Sequence, residues 1–476
     1  MNFSPAGGSP TYRASGWVYG MTENASGPAD HFYRDVKFRY MRAGGDWSIP
    51  RSWSASVTSE PAVLSPCRPH RSPVGARLRE DDTMARVVII GGGFAGVWSA
   101  AGAALARTRT MHADTGTGAD LRITLITPNE HLVLRPRLYE PEPELAKVAL
   151  SRILGPIGVQ HLRAWVSTID TDRRVVVAGG EEIVYDRLVL AAGSALVRPR
   201  DLPGNERLFD IDTLEAARRL ADHLRGRKTY SVVVVGAGFT GLEAATELAA
   251  RGRVLLVDRA QAVGEQLGPG PRAAIEAALD ELGVERRLGT TLEEVGDGYA
   301  VLSDGTKVPA DAVVWSVGMR ASELTRQISG ELDHLGRVPV DRHLRALPEV
   351  FVAGDTAAAA FDAEHTVMQA CQHTTPLGKV AGYNAAADLL GIPPRDFTPG
   401  PYVTCLDLGG AGGIFTRGWD RRVMAVGADG KYIKQRINQA IQPPVDDASM
   451  ILAAADRVHI ELPFFPRAQE TPTPAA

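Results

Sequence analysis

The stretch SVVVVGAGFTGLEAA at residues 231–245 decides how this chain folds. Residues 232–235 are an unbroken valine run, the pattern of a parallel strand buried on both faces. Gly236, Gly238 and Gly241 follow as G-x-G-x-x-G, and LEAATELAARG continues as a helix ending near Gly252. The three glycines meet separate demands: a tight turn, close approach of a pyrophosphate to the backbone, and close packing of helix on strand. The helix N-terminus offers free N–H groups to a phosphate.

The stretch ARVVIIGGGFAGVWSA at residues 85–100 repeats this plan. Its strand is 87–90, its glycines are Gly91, Gly93 and Gly96, and an alanine-rich helix follows. After the second turn the strand RVLLVD closes on Asp258, where an acid binds the adenosine ribose hydroxyls of NAD. A carboxylate there repels a 2′-phosphate, so NADH is expected over NADPH; Arg259 is the neighbouring cation that would favour the reverse. After the first turn the matching strand, RITLIT, ends on Thr127 instead of an acid, and Glu130 is the next carboxylate that could reach a ribose.

Three further strand-and-turn signals place one fold inside the other. YDRLVLAAGS ends in Ala192-Gly193, ADAVVWSVGMRAS follows the second nucleotide fold, and VFVAGDTAAA carries Gly354-Asp355. The expected class is α/β with two Rossmann-like domains. The first domain comprises 84–205 and 320–390, the second is inserted at 206–319, and a small α+β region occupies 391–476.

The chain of 476 residues is 44% hydrophobic and 23% charged, ordinary for a globular protein. A net charge of −4 gives no general attraction to nucleic acid. Cys67, Cys371 and Cys405 form no C-x-x-C, which argues against a disulfide framework, a zinc site or a dithiol pair and suits a reducing cytoplasm. The histidines are scattered, and no metal site is expected. No apolar run reaches the ~18 residues of a membrane span. Residues 1–83, rich in Ser, Pro, Gly and Arg, lack helical or strand periodicity; they are expected to be disordered or untranslated, with translation starting at Met84.

The four ordered motifs, Gly91–Gly96, Ala191–Gly193, Gly236–Gly241 and Ala353–Asp355, resemble the two-dinucleotide flavoproteins of the pyridine nucleotide-disulfide oxidoreductase superfamily. The resemblance covers about residues 84–390. It implies FAD in the first fold and NADH in the inserted one, so that hydride passes between their rings. It implies that Asp355 holds the ribityl-phosphate region of FAD and that Glu243, in GAGFTGLE, sits beside the nicotinamide.

The thiol-using branches are a poor match. The helix after the first strand reads FAGVWSAAGAAL and the stretch after the second strand TPNEHLVLRPRLYE, neither with a cysteine. Cys371 reads as a small core residue. The stretch MQACQHTTPLGKVAGYNAAADLLG, with NEHLVLRPRLYE, resembles type II NADH dehydrogenases, in which a helix carrying A-Q-x-A-x-Q lines the quinone pocket. The match is partial: Met368-Gln369 stands for Ala-Gln, and His373 stands where the second glutamine would be, with Gln372 one place early. Gln369 and His373 are the acceptor-site candidates, since both side chains can hydrogen-bond a quinone carbonyl.

The leading expectation is an NADH dehydrogenase reducing a quinone or similar small molecule. It would be cytoplasmic, with at most peripheral membrane contact through SMILAAADRVHI; a homodimer is compatible with it. A second reading is a reductase for a ferredoxin- or rubredoxin-like partner, docked by Arg135, Arg137, Arg417, Arg421 and Arg422. A third is a flavoprotein redox sensor that does not turn over.

Overall fold

The structure, a computed structural model, describes residues 84–112 and 120–459. It also gives the backbone of a short antiparallel hairpin, Tyr12–Ala14 with Trp17–Tyr19, in a separate unit spanning Met1–Arg79. Apart from that hairpin, the expectation for residues 1–83 lies outside the described residues.

Six strands form the first sheet, in the order Arg345–Leu347, Val350–Val352, Arg187–Leu190, Ala85–Ile90, Leu121–Ile126, Gln160–Leu162. All neighbours are parallel except the edge strand Arg345–Leu347. Val350–Val352 lies directly beside Arg187–Leu190, although about 160 residues of chain separate them. The intervening chain forms its own four-stranded parallel sheet, ordered Glu285–Leu288, Arg253–Asp258, Ser231–Val235, Ala312–Trp315.

The two sheets are covered in the same way. In the first, Val87 and Ile89 face the helices while Val88 and Ile90 face a three-stranded antiparallel layer that includes Val166, Ile169 and Val176. In the second, Val232 and Val234 face helices while Val233 and Val235 face the layer containing Leu292, Val295, Ala300 and Leu302. Period-two alternation within an all-apolar run is what a strand covered on both faces requires.

The helix Phe94–His112 packs along the long helix Cys371–Leu390 at backbone contact. A Cβ on Gly102 would lie 2.4 Å from the Lys379 carbonyl oxygen, one on Gly378 2.4 Å from that of Ala95, and one on Gly382 1.9 Å from that of Ser99. Pro376 is tolerated in the first turn and a half of the long helix, and Gly391 in left-handed conformation ends it.

Beyond Leu390 come a three-stranded antiparallel sheet, Val403–Asp407, Gly413–Arg417 and Arg422–Val426, and two helices, Gly427–Ala440 and Ala448–Asp456. The last helix buries Ile451 and Ala455, and Asp456 pairs with Arg109 and Arg395. Its apolar face therefore packs on the body of the protein. No helix among the described residues is long and apolar enough to cross a membrane.

Gly382→Ala should lower the melting temperature sharply, because overpacking two backbones costs roughly 1–3 kcal/mol or more. Gly330→Ala, where the added Cβ meets nothing within 4 Å, is the matched control and should leave the melt nearly unchanged.

Candidate functional site

Both glycine turns have one geometry. Gly91 and Gly236 have φ of 114° and 108°, a region that excludes side chains. A Cβ on Gly96 would lie 1.8 Å from the Gly91 carbonyl oxygen, and one on Gly241 the same distance from that of Gly236. The middle glycines differ. Around Gly93 a Cβ meets nothing within 4 Å, and around Gly238 the nearest atom is Gln266 Oε1 at 3.7 Å. The outer glycines are required by the protein's own backbone, whereas the middle ones leave space that a side chain would fill. Gly238 gives the helix Phe239–Leu248 no side-chain cap, and neither glycine-turn helix carries an acid in its first turn. Uncapped N–H groups around an open concavity fit a pyrophosphate.

Asp258 ends its strand with one carboxylate oxygen accepting from the Ala237 N–H (2.5 Å) and the other from the Ala260 N–H (2.8 Å). It thus touches the second turn itself. In the first fold Thr127 occupies this place, buried, where a Cβ on Gly92 would press on it at 2.7 Å. Glu130 does not turn inward. It pairs with Arg163 at the surface, so the ribose role expected for it has no support in its geometry.

Asp355 lies in the 3-10 turn Gly354–Thr356 that follows the strand Val350–Val352. It accepts from Ser194 Oγ (2.6 Å) and Thr374 Oγ1 (3.0 Å), and Arg135 lies 3.6 Å away. Ser194 follows the Ala192-Gly193 turn, Thr374 opens the long helix, and the Gly193 carbonyl accepts from Ser322 N–H at 2.9 Å. One carboxylate therefore joins its own turn to the Ala192-Gly193 turn and to the first turn of the long helix. Arg135 also pairs with Asp212.

Glu243 is buried, 7% exposed, and meets the C-terminal region. Its Oε1 accepts from Lys434 Nζ at 2.7 Å and from the Asp407 N–H at 3.0 Å. Asp407 in turn accepts from Lys431 (2.9 Å) and from the Tyr139 hydroxyl (3.2 Å). Burial raises the Glu243 carboxyl above its ordinary range, and Lys434 offsets this in part. Burial alone would lower Lys434, but the adjacent carboxylate outweighs it and holds the ammonium above its usual value. Lys434 was not legible in the sequence, since it lies 191 residues from its partner.

The acceptor stretch differs from expectation. The long helix begins at Cys371, with Ala370 at its N-cap, so Met368 and Gln369 precede it. Gln369 Nε2 donates to the Asp355 carbonyl at 3.1 Å, which makes it a support of the Asp355 turn. Gln372 grips the Val403 backbone, donating to its carbonyl at 2.7 Å and accepting from its N–H at 3.1 Å. His373 is buried, 2% exposed, and its Nδ1 accepts from the Met368 N–H at 2.8 Å. That bond puts the proton on Nε2, which has no partner. His373 stacks on Tyr402, Tyr402 on Trp419, and Trp419 on His365. Burial pushes the His373 imidazole down to about 4.

Cys371 and Cys405 carry no reactive thiolate. Burial, with Cys405 nearby, pushes the Cys371 thiol up to about 12, and burial raises Cys405 as well. Of the arginines offered for a protein partner, Arg137 chelates Glu140 at 2.8 and 2.6 Å, Arg135 is paired and Arg421 is buried, while Arg417 is half-buried and Arg422 exposed. No cluster of three or more candidate metal ligands occurs among the described residues.

Residues 85–376 match the pyridine nucleotide-disulphide oxidoreductase family. The chain belongs to this family. It is 43% identical over 401 residues to an NADH dehydrogenase-like protein of Mycobacterium tuberculosis, covering 79% of this chain and 99% of that one. It is 32% identical over 369 residues to the type II NADH:quinone oxidoreductase of the same species, covering 67% and 75%. Among solved structures, the sulfide:quinone oxidoreductase of Aquifex aeolicus superposes with a TM-score of 0.60 at 19% identity, over 75% of this chain and 90% of that one, which speaks for the fold alone. The protein is an oxidoreductase, and its cofactors are FAD and NADH.

His373 gives a pH-dependent stability of defined sign. With a folded value near 4 and an unfolded one near 6.5, its contribution is complete above pH 6.5 and is lost as the pH falls towards 4, by about 3 kcal/mol. The melting temperature of His373→Gln should therefore fall less between pH 7 and pH 4.5 than that of the wild type; parallel curves would place the acid sensitivity elsewhere.

Proposed function

We propose that this protein is an FAD-dependent NADH dehydrogenase, with FAD in the first fold, NADH in the inserted fold, and a quinone or similar small molecule as electron acceptor. The observation that carries the reading is the pair of cradles whose outer glycines share one geometry, in a chain that is 43% identical to an NADH dehydrogenase-like protein over 79% of its own length. FAD, when bound, takes hydride from NADH and passes the electrons on.

The protein's part is to bind, orient and hold protons. Gly91, Gly93 and Gly96 with Ala192 and Gly193 shape the flavin nucleotide's seat, and Gly354 carries Asp355 to it. The hydroxyls of Ser194 and Thr374 fix the Asp355 carboxylate, and Gln369 fixes the backbone beneath it. Gly236, Gly238 and Gly241 form the seat for NADH, with Asp258 at the adenosine end. Glu243, one turn into that helix, is the candidate catalytic residue. Its carboxylate shares a short, water-poor contact with Lys434 and can hold or release a proton where hydride arrives.

For the acceptor, His373 Nε2–H is a buried side-chain donor in the 368–373 stretch that no protein atom engages. A carbonyl oxygen gaining charge would strengthen a hydrogen bond from it. The reductase-for-a-protein reading is weakened by the paired state of Arg135 and Arg137.

Stopped-flow reduction by NADH, then reoxidation by menaquinone and ubiquinone analogues and by ferricyanide, tests the reading directly. Repeated turnover is expected; a single slow reduction without cycling would favour a redox sensor. Asp355→Ala should be isolated with little flavin, while Asp258→Ala retains it; full flavin in Asp355→Ala would overturn the placement of FAD. NADH should exceed NADPH in kcat/KM by roughly tenfold or more, the scale of one like-charge contact with Asp258; equal values would give Arg259 the deciding role.

A further inference from the structure

Arg421 is a buried cation without an anion. It is 7% exposed, and among the described residues no carboxylate lies within ion-pair distance of it. Its Nη1 has no hydrogen-bond partner. The guanidinium centre lies 5.3 Å over the ring of Tyr402 and 5.4 Å over that of Phe239. Two aromatic faces attract a cation, yet they leave the buried Nη1 unsatisfied. A desolvated charge in that condition is unfavourable unless something completes it.

The position is held deliberately. Arg421 adopts φ of 53°, rare for a residue with a side chain, in a turn closed by its N–H donating to the Gly418 carbonyl at 3.1 Å. The turn packs against the inserted fold, where a Cβ on Gly270 would lie 2.7 Å from the Arg421 carbonyl oxygen. Phe239 is the first residue of the helix Phe239–Leu248, whose uncapped N-terminus borders the open space at Gly238. The unpaired guanidinium thus packs on the side chain of the residue that opens the uncapped helix.

We propose that Arg421 completes the NADH site from the C-terminal region by donating to the pyrophosphate of the dinucleotide. The proposal rests on the assignment of NADH to the inserted fold and extends it. The ligand chemistry is a phosphate oxygen, an anionic acceptor suited to a guanidinium and to helix N–H groups alike, and a guanidinium fork matches it in shape. The C-terminal region then belongs to the binding machinery as well as to the scaffold, and the three-stranded sheet carries the turn that presents the charge.

The test uses the flavin-loaded full chain as wild type, Arg421→Met, Arg421→Ala and Arg421→Lys. Binding of ADP-ribose, which has the pyrophosphate, and of adenosine, which lacks it, is measured by calorimetry, alongside KM and kcat for NADH. Arg421→Met keeps an apolar stem over the two rings and is decisive if Arg421→Ala does not fold. The expected result is ADP-ribose binding weakened roughly tenfold or more, the loss of one charge-assisted hydrogen bond. Adenosine binding should be unchanged, KM for NADH raised more than kcat is lowered, and Arg421→Lys partly restored. ADP-ribose binding within twofold of wild type in Arg421→Met, or equal weakening of both ligands, would overturn the proposal while leaving NADH in the inserted fold. Wild type that binds neither NADH nor ADP-ribose would overturn that assignment too.

Discussion

Backbone must touch backbone at the two glycine turns, and the rest of the molecule is arranged around that contact. At Gly96 and Gly241 the helix comes so close to the preceding turn that a single added carbon would overlap a carbonyl oxygen. This closeness fixes the path of each helix across its sheet and aims its N-terminus at the concavity. The same constraint recurs where Phe94–His112 meets Cys371–Leu390 through Gly102, Gly378 and Gly382. Interiors at this density do not deform smoothly, so the Asp355 turn, whose Gly354 lies against Ala95 and Thr374 of these two helices, inherits its position from the glycine contacts.

A second link binds the parts chemically. The Glu243–Lys434 pair joins the inserted fold to the helix Gly427–Ala440, and the Asp407 N–H joins the same carboxylate to the C-terminal sheet. Removing one member of a buried pair strands the other charge, at about 3–5 kcal/mol, whereas the intact pair is close to neutral in net energy. The pair is therefore weak evidence of net stabilisation.

The acceptor stretch shows how motif and geometry part company. Gln369, Gln372 and His373 were legible as polar groups at suggestive spacing. In the fold two of them hold backbone: Gln369 supports the carbonyl of Asp355, and Gln372 ties the start of the long helix to Val403. Their amides match exposed peptide groups in shape, and once elements pack, buried peptide groups take whatever partner is at hand. His373 keeps one unpartnered donor because aromatic rings, which accept no ordinary hydrogen bond, surround it.

The sequence by itself determined the two strand–turn–helix units, the acid closing the second, the order of the four motifs and the return of the chain to its first sheet. These are local steric rules: a valine run, a glycine that tolerates positive φ and an Asp at a strand end act within a few residues, whatever lies elsewhere. Only the tertiary structure decided what each polar side chain faces. Glu243 finding Lys434, Ser194 finding Asp355 and Arg421 finding no anion are outcomes of contacts between segments that can lie well over a hundred residues apart. No local pattern encodes them, because the partner of a buried charge is fixed by which distant surfaces pack together.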